Sequence, residues 1–576
     1  MKQLLLGNAA VARGLYESGV SIVSSYPGTP STEVTEEAAR FKEIYCEWAP
    51  NEKVACETAF GASLAGRRSL CGMKHVGLNV AADPLFTISY TGVNAGMLVL
   101  VADDAGMHSS QNEQDSRHYA IASKVPMVDP SDSQECIDFV KEAYEISEKF
   151  DTPVIFKTCT RIAHSQSMVE LSDRVEVPAK EYEKNPQKYI MAPANAIRRH
   201  PEVEARTAKL VDYAETTKLN RVEMGGTDIG IITSSTSYQY TKEVFGENAS
   251  ILKLGLVNPL PVKLIKDFAS KVKTLYVIEE LDPVIENHVR SLGIPCHGKD
   301  ILPITGEFNQ NIIRKAFGMD VPAGTKVDSP IPVRPPVMCA GCPHRGLFYA
   351  LSKNKISVMG DIGCYTLGSA QPLNAIDMVL CMGASVSGLH GFNKANPENA
   401  KHTVAVIGDS TFCHSGMTGL ATIAYNQSNS TVIIVDNSIT GMTGHQNNPA
   451  NGKNLYGDPA GRINLEALCI AMGIDASHVR VVDPNEIAAS EKVILEELAF
   501  EGPSVVISRR PCALLKSVKH EAPLKINEEK CVGCKMCMKL GCPALSIKNK
   551  KAAIDPTMCV GCELCTQMCK LGAIEK

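Results

Sequence analysis

The chain has 576 residues, 44% of them hydrophobic and 21% charged, with a formal net charge of −5. That length supports three or four domains with separate cores, and the charge balance shows no global basic bias that would argue for nucleic acid binding. No apolar run approaches the roughly 18 residues that a membrane span needs, and 21 cysteines, eight of them within the last 46 residues, point to metal ligation in a reducing, cytoplasmic setting rather than to disulfides.

The N-terminal MKQLLLGNAAVARG reads as the first helix, its apolar part too short for a signal peptide. From there to about residue 190, glycine-punctuated apolar runs (GVSIVSSYPGTP, SLCGMKHVGL, MLVLVADD, TPVIFKTC) alternate with helical stretches, one starting at Ser31. This is the alternation of a parallel α/β sheet. The charged segment Asn195 to Met224 has helical period and suits a bridging helix, which sets a boundary between residues 194 and 195. A second, shorter α/β pattern follows with GIITSS, a helix through Glu243, SILKLGLVNPLP and TLYVIEELDP, ending near residue 320. DVPAGTKVDSPIPVRPP, with Pro322, Pro330, Pro332, Pro335 and Pro336, is a linker because it can continue neither a helix nor a central strand. A third α/β unit over 337–515 carries ISVMGDIG, HTVAVIGDS, STVIIVDN and SVVISRR, and a duplicated, cysteine-rich tail fills 521–576.

In the third unit Gly408, Asp409 and Ser410 end one apolar strand, and Asn437, 28 residues after Asp409, ends the next. Neighbouring parallel strands bind ligands at such ends. A magnesium ion takes a carboxylate, an amide or backbone oxygen and diphosphate oxygens, and Asp409, Asn437 and the Ile439 carbonyl can supply the protein share. Gly408 would let the backbone approach the phosphates. On its own the pattern occurs by chance in many α/β proteins.

The tail reads CVGCKMCMKLGCP and CVGCELCTQMCK, each a CxxCxxC run with a fourth cysteine. That is the spacing of a two-cluster ferredoxin, in which the fourth cysteine of each run reaches the other cluster. It assigns Cys531, Cys534, Cys537 and Cys569 to one 4Fe–4S cluster and Cys559, Cys562, Cys565 and Cys542 to the other. Zinc is the bland alternative, although it usually takes paired CxxC units. The first run departs from the pattern, with four residues before its last cysteine, and Lys570 replaces the usual proline of the second. Nine lysines against six acidic residues from Glu521 onward leave a modest positive balance, either a solvated face or an aid to an acidic ferredoxin.

Together, GNAAVARG, YPGTPSTE, CAGCPHR, GDIGCYTLG, GDSTFCHSG, the GD…N spacing and the tail resemble the thiamine-diphosphate-dependent 2-oxoacid:ferredoxin oxidoreductases over essentially the whole chain. MKHVGLN narrows the resemblance to the branch acting on indolepyruvate or other arylpyruvates. It implies a pyrimidine-type α/β domain (1–194), a bridge and transketolase-C-terminal-like domain (195–320), a diphosphate and magnesium domain (337–515) and a ferredoxin-like domain (521–576). In NEKVACETAFGASLAGRR the family's cofactor-activating glutamate, nine residues before a Gly-Ala pair, falls on Glu52, with Glu57 as the competing choice. The YPGTP loop makes Thr29 a contact for cofactor and oxoacid, and His75 either meets the substrate or is a packed or capping histidine. The resemblance also implies a third cluster beside the thiamine, on Cys339, Cys342, Cys364 and Cys512. Cys381, Cys413 and Cys469 read as core thiols. Expected cofactors are thus thiamine diphosphate, Mg2+ and two or three 4Fe–4S clusters, and expected partners are a smaller β subunit in an α2β2 assembly, ferredoxin, coenzyme A and the oxoacid. The same chemistry on pyruvate or phenylpyruvate, an electron-transfer subunit with a vestigial thiamine fold, and non-oxidative decarboxylation are the alternatives, the last leaving the tail cysteines unexplained.

Overall fold

The structure is a computed structural model describing residues 1–325 and 327–576, which form two compact units, one on each side of residue 326. Lys326, inside the expected linker, lies outside the described residues; the rest of 319–336 carries no helix or strand.

In the first unit the strands are β1 (Lys2–Leu6), β2 (Ile22–Ser25), β3 (Tyr45–Trp48), β4 (Ser69–Lys74), β5 (Met97–Asp103), β6 (Met127–Val128), β7 (Val154–Cys159) and β8 (Gln166–Glu170). After the helix Pro193–Ala214 come β9 (Arg221–Glu223), β10 (Ile229–Thr233), β11 (Ser250–Lys253), β12 (Leu256–Asn258) and β13 (Thr274–Ile278). A seven-stranded sheet runs β12-β6-β7-β5-β4-β2-β3, parallel except for β12 against β6, and a four-stranded sheet runs β13-β10-β11-β9. Every residue of β4, β5 and β7 is buried. Such near-continuous apolar runs belong to a parallel sheet covered on both faces.

Three local expectations change. The N-terminus is not helical from its start: Lys2–Leu6 is a strand paired antiparallel with β8, and the helix begins at Gly7. The partner lies some 165 residues away, so nothing in the local period announces it. The run SLCGMKHVGL stops being a strand at Lys74, and His75–Val80 is helical. Finally, β12 leaves the second α/β pattern to extend the first sheet. The boundary at 194 therefore separates two sheets but not two cores: Met97, Val99 and Ile155 pack in one cluster with Ile232, Leu252 and Phe268.

The second unit is built on β14 (Ser357–Met359), β15 (Thr403–Gly408), β16 (Ser430–Asp436), β17 (Val479–Val482) and β18 (Pro503–Arg509), all parallel in the order β14-β15-β16-β18-β17. Its tail has two short antiparallel pairs, β19 (Lys525–Ile526) with β22 (Ile574–Glu575) and β20 (Leu545–Lys548) with β21 (Lys551–Ile554). Among the described residues no helix is long and apolar enough to cross a membrane.

Candidate active site

In the first unit the chain goes from β2 out to the edge strand β3 and returns on the other side of β2 as β4. Strand order reverses there, and open α/β sheets bind ligands outside the carboxyl ends of strands at such a point. Thr29 follows β2, Glu52 follows β3 and His75 follows β4, so the topology brings the three together. The contacts are tight. A Cβ on Gly28 would lie 3.1 Å from the Lys74 Cβ, and one on Gly77 only 2.6 Å from Glu52 Cγ and Oε1.

Glu52 opens the helix Glu52–Leu64, whose N-cap Asn51 accepts the Val54 amide at 2.9 Å, and it is 5% exposed. Glu57 lies on the solvent side and pairs with Lys53. Burial thus separates two glutamates that spacing left in competition. His75 is buried, its Nε2 3.3 Å from the Asn112 carbonyl, and burial with the adjacent Lys74 holds its pKa below the usual histidine value. Lys74 Nζ donates to the Ser109 carbonyl at 2.6 Å. The loop after β5, absent from the sequence reading, therefore packs over both residues; its signal was the polar run SSQNEQD, five residues beyond a fully buried strand.

In the second unit Asp409 follows β15 and Asn437 follows the neighbouring β16. Asp409 is buried; burial and the Asp436 carboxylate push it up to about 7, opposed by Asn448, whose Nδ2 donates to Oδ2 at 3.2 Å. Asn437 Oδ1 accepts the Ile439 amide at 3.2 Å, and Thr440 donates to Ser410 Oγ at 2.9 Å. The place a Cβ on Gly408 would take is filled by the Tyr365 ring, at 2.8 Å. Close packing thus requires this glycine, whatever else approaches its backbone.

Four further cysteines gather at the same strand ends. The Cys512 amide donates to the Asn437 carbonyl at 2.9 Å, and a Cβ on Gly441 would lie 3.3 Å from Cys364 Sγ. Burial, then Cys512 and Cys339, push Cys364 up to about 11; burial chiefly, with Cys339 and Cys364 nearby, pushes Cys342 up to about 12. Cys381, expected in the core, is exposed and stands apart from this set, whereas Cys413 and Cys469 are buried. Its apolar neighbour Leu380 is exposed with it, so local hydrophobicity here does not mark a core position.

In the tail Cys537 lies among Cys534, Cys569 and Cys531, while Cys565 lies chiefly among Cys562, Cys542 and Cys559. Each fourth cysteine has crossed to the other run. None of the 21 cysteines is in a disulfide.

Comparison with known proteins gives these sites a family. Residues 13–227 match the family "Pyruvate flavodoxin/ferredoxin oxidoreductase, thiamine diP-bdg", and residues 361–508 match "Thiamine pyrophosphate enzyme, C-terminal TPP binding domain". The indolepyruvate oxidoreductase subunit IorA of Pyrococcus horikoshii is 41% identical over 100% of this chain and 97% of its own length; that of Archaeoglobus fulgidus is 40% identical over the same shares. The chain belongs to the IorA family. It is an enzyme of the thiamine-diphosphate-dependent 2-oxoacid:ferredoxin oxidoreductase kind, and its thiamine-binding regions coincide with the two parallel sheets that carry Glu52 and Asp409. Among solved structures, a 2-oxoglutarate:ferredoxin oxidoreductase from Magnetococcus marinus with 2-oxoglutarate, coenzyme A and succinyl-CoA bound is 20% identical, covers 55% of this IorA-family chain and 65% of its own, and has a TM-score of 0.47.

Proposed function

We propose that this chain is the catalytic subunit that converts indolepyruvate and coenzyme A into indoleacetyl-CoA and carbon dioxide, releasing one proton and two electrons that pass one at a time to ferredoxin. A smaller partner subunit completes the assembly, as the subunit names of the relatives suggest. Bound thiamine diphosphate supplies the electron sink that lets the oxoacid carboxylate leave, and bound 4Fe–4S clusters supply one-electron acceptors. Asp409, the Asn437 side chain and the Ile439 carbonyl would hold Mg2+, and Gly408 and Ser410 would flank the diphosphate. A hard cation fits this place because it would draw a buried carboxyl at about 7 back to its ionised form. Glu52 would hydrogen-bond the aminopyrimidine, exchanging its proton from a site shielded from water. Thr29 borders the same crevice from the β2 side, and His75 from the β4 side.

The observation that carries this reading is continuity within the second unit. The Asp409 and Asn437 strand ends adjoin Cys339, Cys342, Cys364 and Cys512, and the tail sets Cys542/559/562/565 and Cys531/534/537/569 follow beyond them. Domains over 337–515 and 521–576, the last ferredoxin-like, would correspond to this layout.

Anaerobically purified protein tests it: thiamine diphosphate, magnesium, iron and acid-labile sulfide are quantified together, then viologen reduction is compared across indolepyruvate, phenylpyruvate, pyruvate and 2-oxoglutarate. About twelve irons per chain, four per cubane, and fastest reduction with indolepyruvate are expected. Iron without thiamine diphosphate would leave an electron-transfer subunit only, and preference for another oxoacid would overturn the substrate.

A further inference from the structure

Arg345, in CPHR, is 2% exposed on the first turn of the helix His344–Lys353. Its guanidinium donates to the Leu540 carbonyl at 2.6 Å through one nitrogen, and to the Met338 and Cys339 carbonyls at 2.7 and 2.9 Å through another. One arm thus grips the loop of Cys339 and Cys342, and the other grips the tail two residues before Cys542. Around it the two loops are in direct contact. A Cβ on Gly341 would lie 2.3 Å from Val560 Cγ2, one on Gly346 3.2 Å from Leu564 Cδ2, and one on Gly541 3.5 Å from the guanidinium itself. Asn485 Nδ2 donates to the Cys562 carbonyl at 3.3 Å across the same seam.

A cation so deeply buried is costly unless negative charge lies close by, and its three acceptors are neutral carbonyls. Two iron–sulfur clusters, one on each side of the seam, would supply that charge. We infer that Arg345 is the electrostatic bridge of the electron path: set between the cysteine sets 339/342/364/512 and 542/559/562/565, it raises the reduction potentials of both clusters and eases transfer between them. The inference rests on the proposed cluster assignments. In each transfer one electron leaves one cluster and enters the other, with no bond made or broken and no proton moved. The reduced state of either cluster carries one more negative charge, so a fixed cation nearby stabilises it, and net charge with hydrogen bonding is what sets such potentials.

The test is an EPR-monitored redox titration of the anaerobically purified full chain, with iron counted for each variant. Arg345→Gln removes the charge and should shift the two flanking clusters to more negative potential, by more than it shifts the cluster of Cys531, Cys534, Cys537 and Cys569. Arg345→Lys keeps the charge and should restore the wild-type potentials. Equal potentials in wild type and R345Q, equal shifts in all three clusters, or equal shifts in R345Q and R345K would overturn the inference. Loss of iron from R345Q in place of a shift would do the same, reducing Arg345 to a strut. If the wild-type protein holds no three clusters, the cluster assignment fails instead, and iron analysis alone reveals it.

Discussion

Gly77→Ala isolates the positioning of Glu52 from its chemistry. The added Cβ would lie 2.6 Å from Glu52 Cγ and Oε1 and 2.8 Å from Cδ. Reaching an ordinary contact of about 3.4 Å requires the carboxylate to move by about 0.8 Å, whether by side-chain rotation or by a shift of the helix. Misplacement on the order of 1 Å can cost about 10²-fold in rate, so turnover should fall roughly ten- to a hundredfold, about 1.4–2.7 kcal/mol in the barrier. Folding should be little affected, because alanine is preferred to glycine within a helix by about 0.5–1 kcal/mol. The assay is viologen reduction with saturating indolepyruvate and coenzyme A, with thiamine diphosphate content and thermal midpoint measured on the same samples. Gly61→Ala is the control: a Cβ there meets nothing within 4 Å, and turnover should be unchanged. Wild-type turnover in G77A would refute the placement of Glu52 as the group that must be held still.

Asp409→Asn removes the charge that would hold a hard cation, so magnesium and thiamine diphosphate should both be depleted after desalting while iron content stays at the wild-type level; loss of iron instead would detach Asp409 from this role. Cys542→Ser should cost the cluster of Cys559, Cys562 and Cys565 and spare that of Cys531, Cys534, Cys537 and Cys569, read by EPR signals and iron counts; loss of the opposite cluster would reverse the crossed assignment. Arg117→Met tests stability. Arg117 is buried between Asp115, at 2.5 Å, and Glu279, and it donates to the Glu280 and Asp282 carbonyls after β13. Removing it leaves two buried carboxylates unpaired, which should lower stability by about 3–5 kcal/mol and the thermal midpoint with it, and an unchanged midpoint would show that solvent reaches them.

Spacing and strand composition made part of this site legible. Apolar β-branched runs announced β15 and β16, and with them the position of Asp409 and Asn437 at adjacent strand ends. Paired CxxCxxC runs named the two tail sets, because successive thiols on one loop must face one volume. What the sequence concealed depends on chain segments far apart in number. Nothing local marks Lys2–Leu6 as a strand, since its partner is Gln166–Glu170. Leu256–Asn258 looks like a strand of its own unit yet hydrogen-bonds to Met127–Val128 of another sheet. Glu52 and Glu57 differ only in burial, a property set by the helix face that packs against β2 and β4. Arg345 carries no signal beyond standing three residues after Cys342, and its meaning arises only when Leu540 is brought to it.

The two departures of the tail from the ferredoxin spacing have local physical accounts. The extra residue between Cys537 and Cys542 falls after the tight turn Met536–Leu540, which ends at Gly541 with φ +64. Only glycine adopts that conformation cheaply, and here a side chain would also meet Pro372 Cδ at 2.5 Å. The longer loop thereby presents the Leu540 carbonyl to Arg345 and still delivers Cys542 to the neighbourhood of Cys559, Cys562 and Cys565. At the second run Lys570 stands where proline would redirect the chain, and a hydrogen-bonded turn does so instead. The Gly572 amide donates to the Cys569 carbonyl at 3.1 Å, and the Ala573 amide donates to Cys569 Sγ at 3.3 Å. Spacing alone therefore understates how many loop lengths can deliver four thiols to one volume; what they share is a left-handed glycine and an amide aimed at carbonyl or sulfur where the chain must double back.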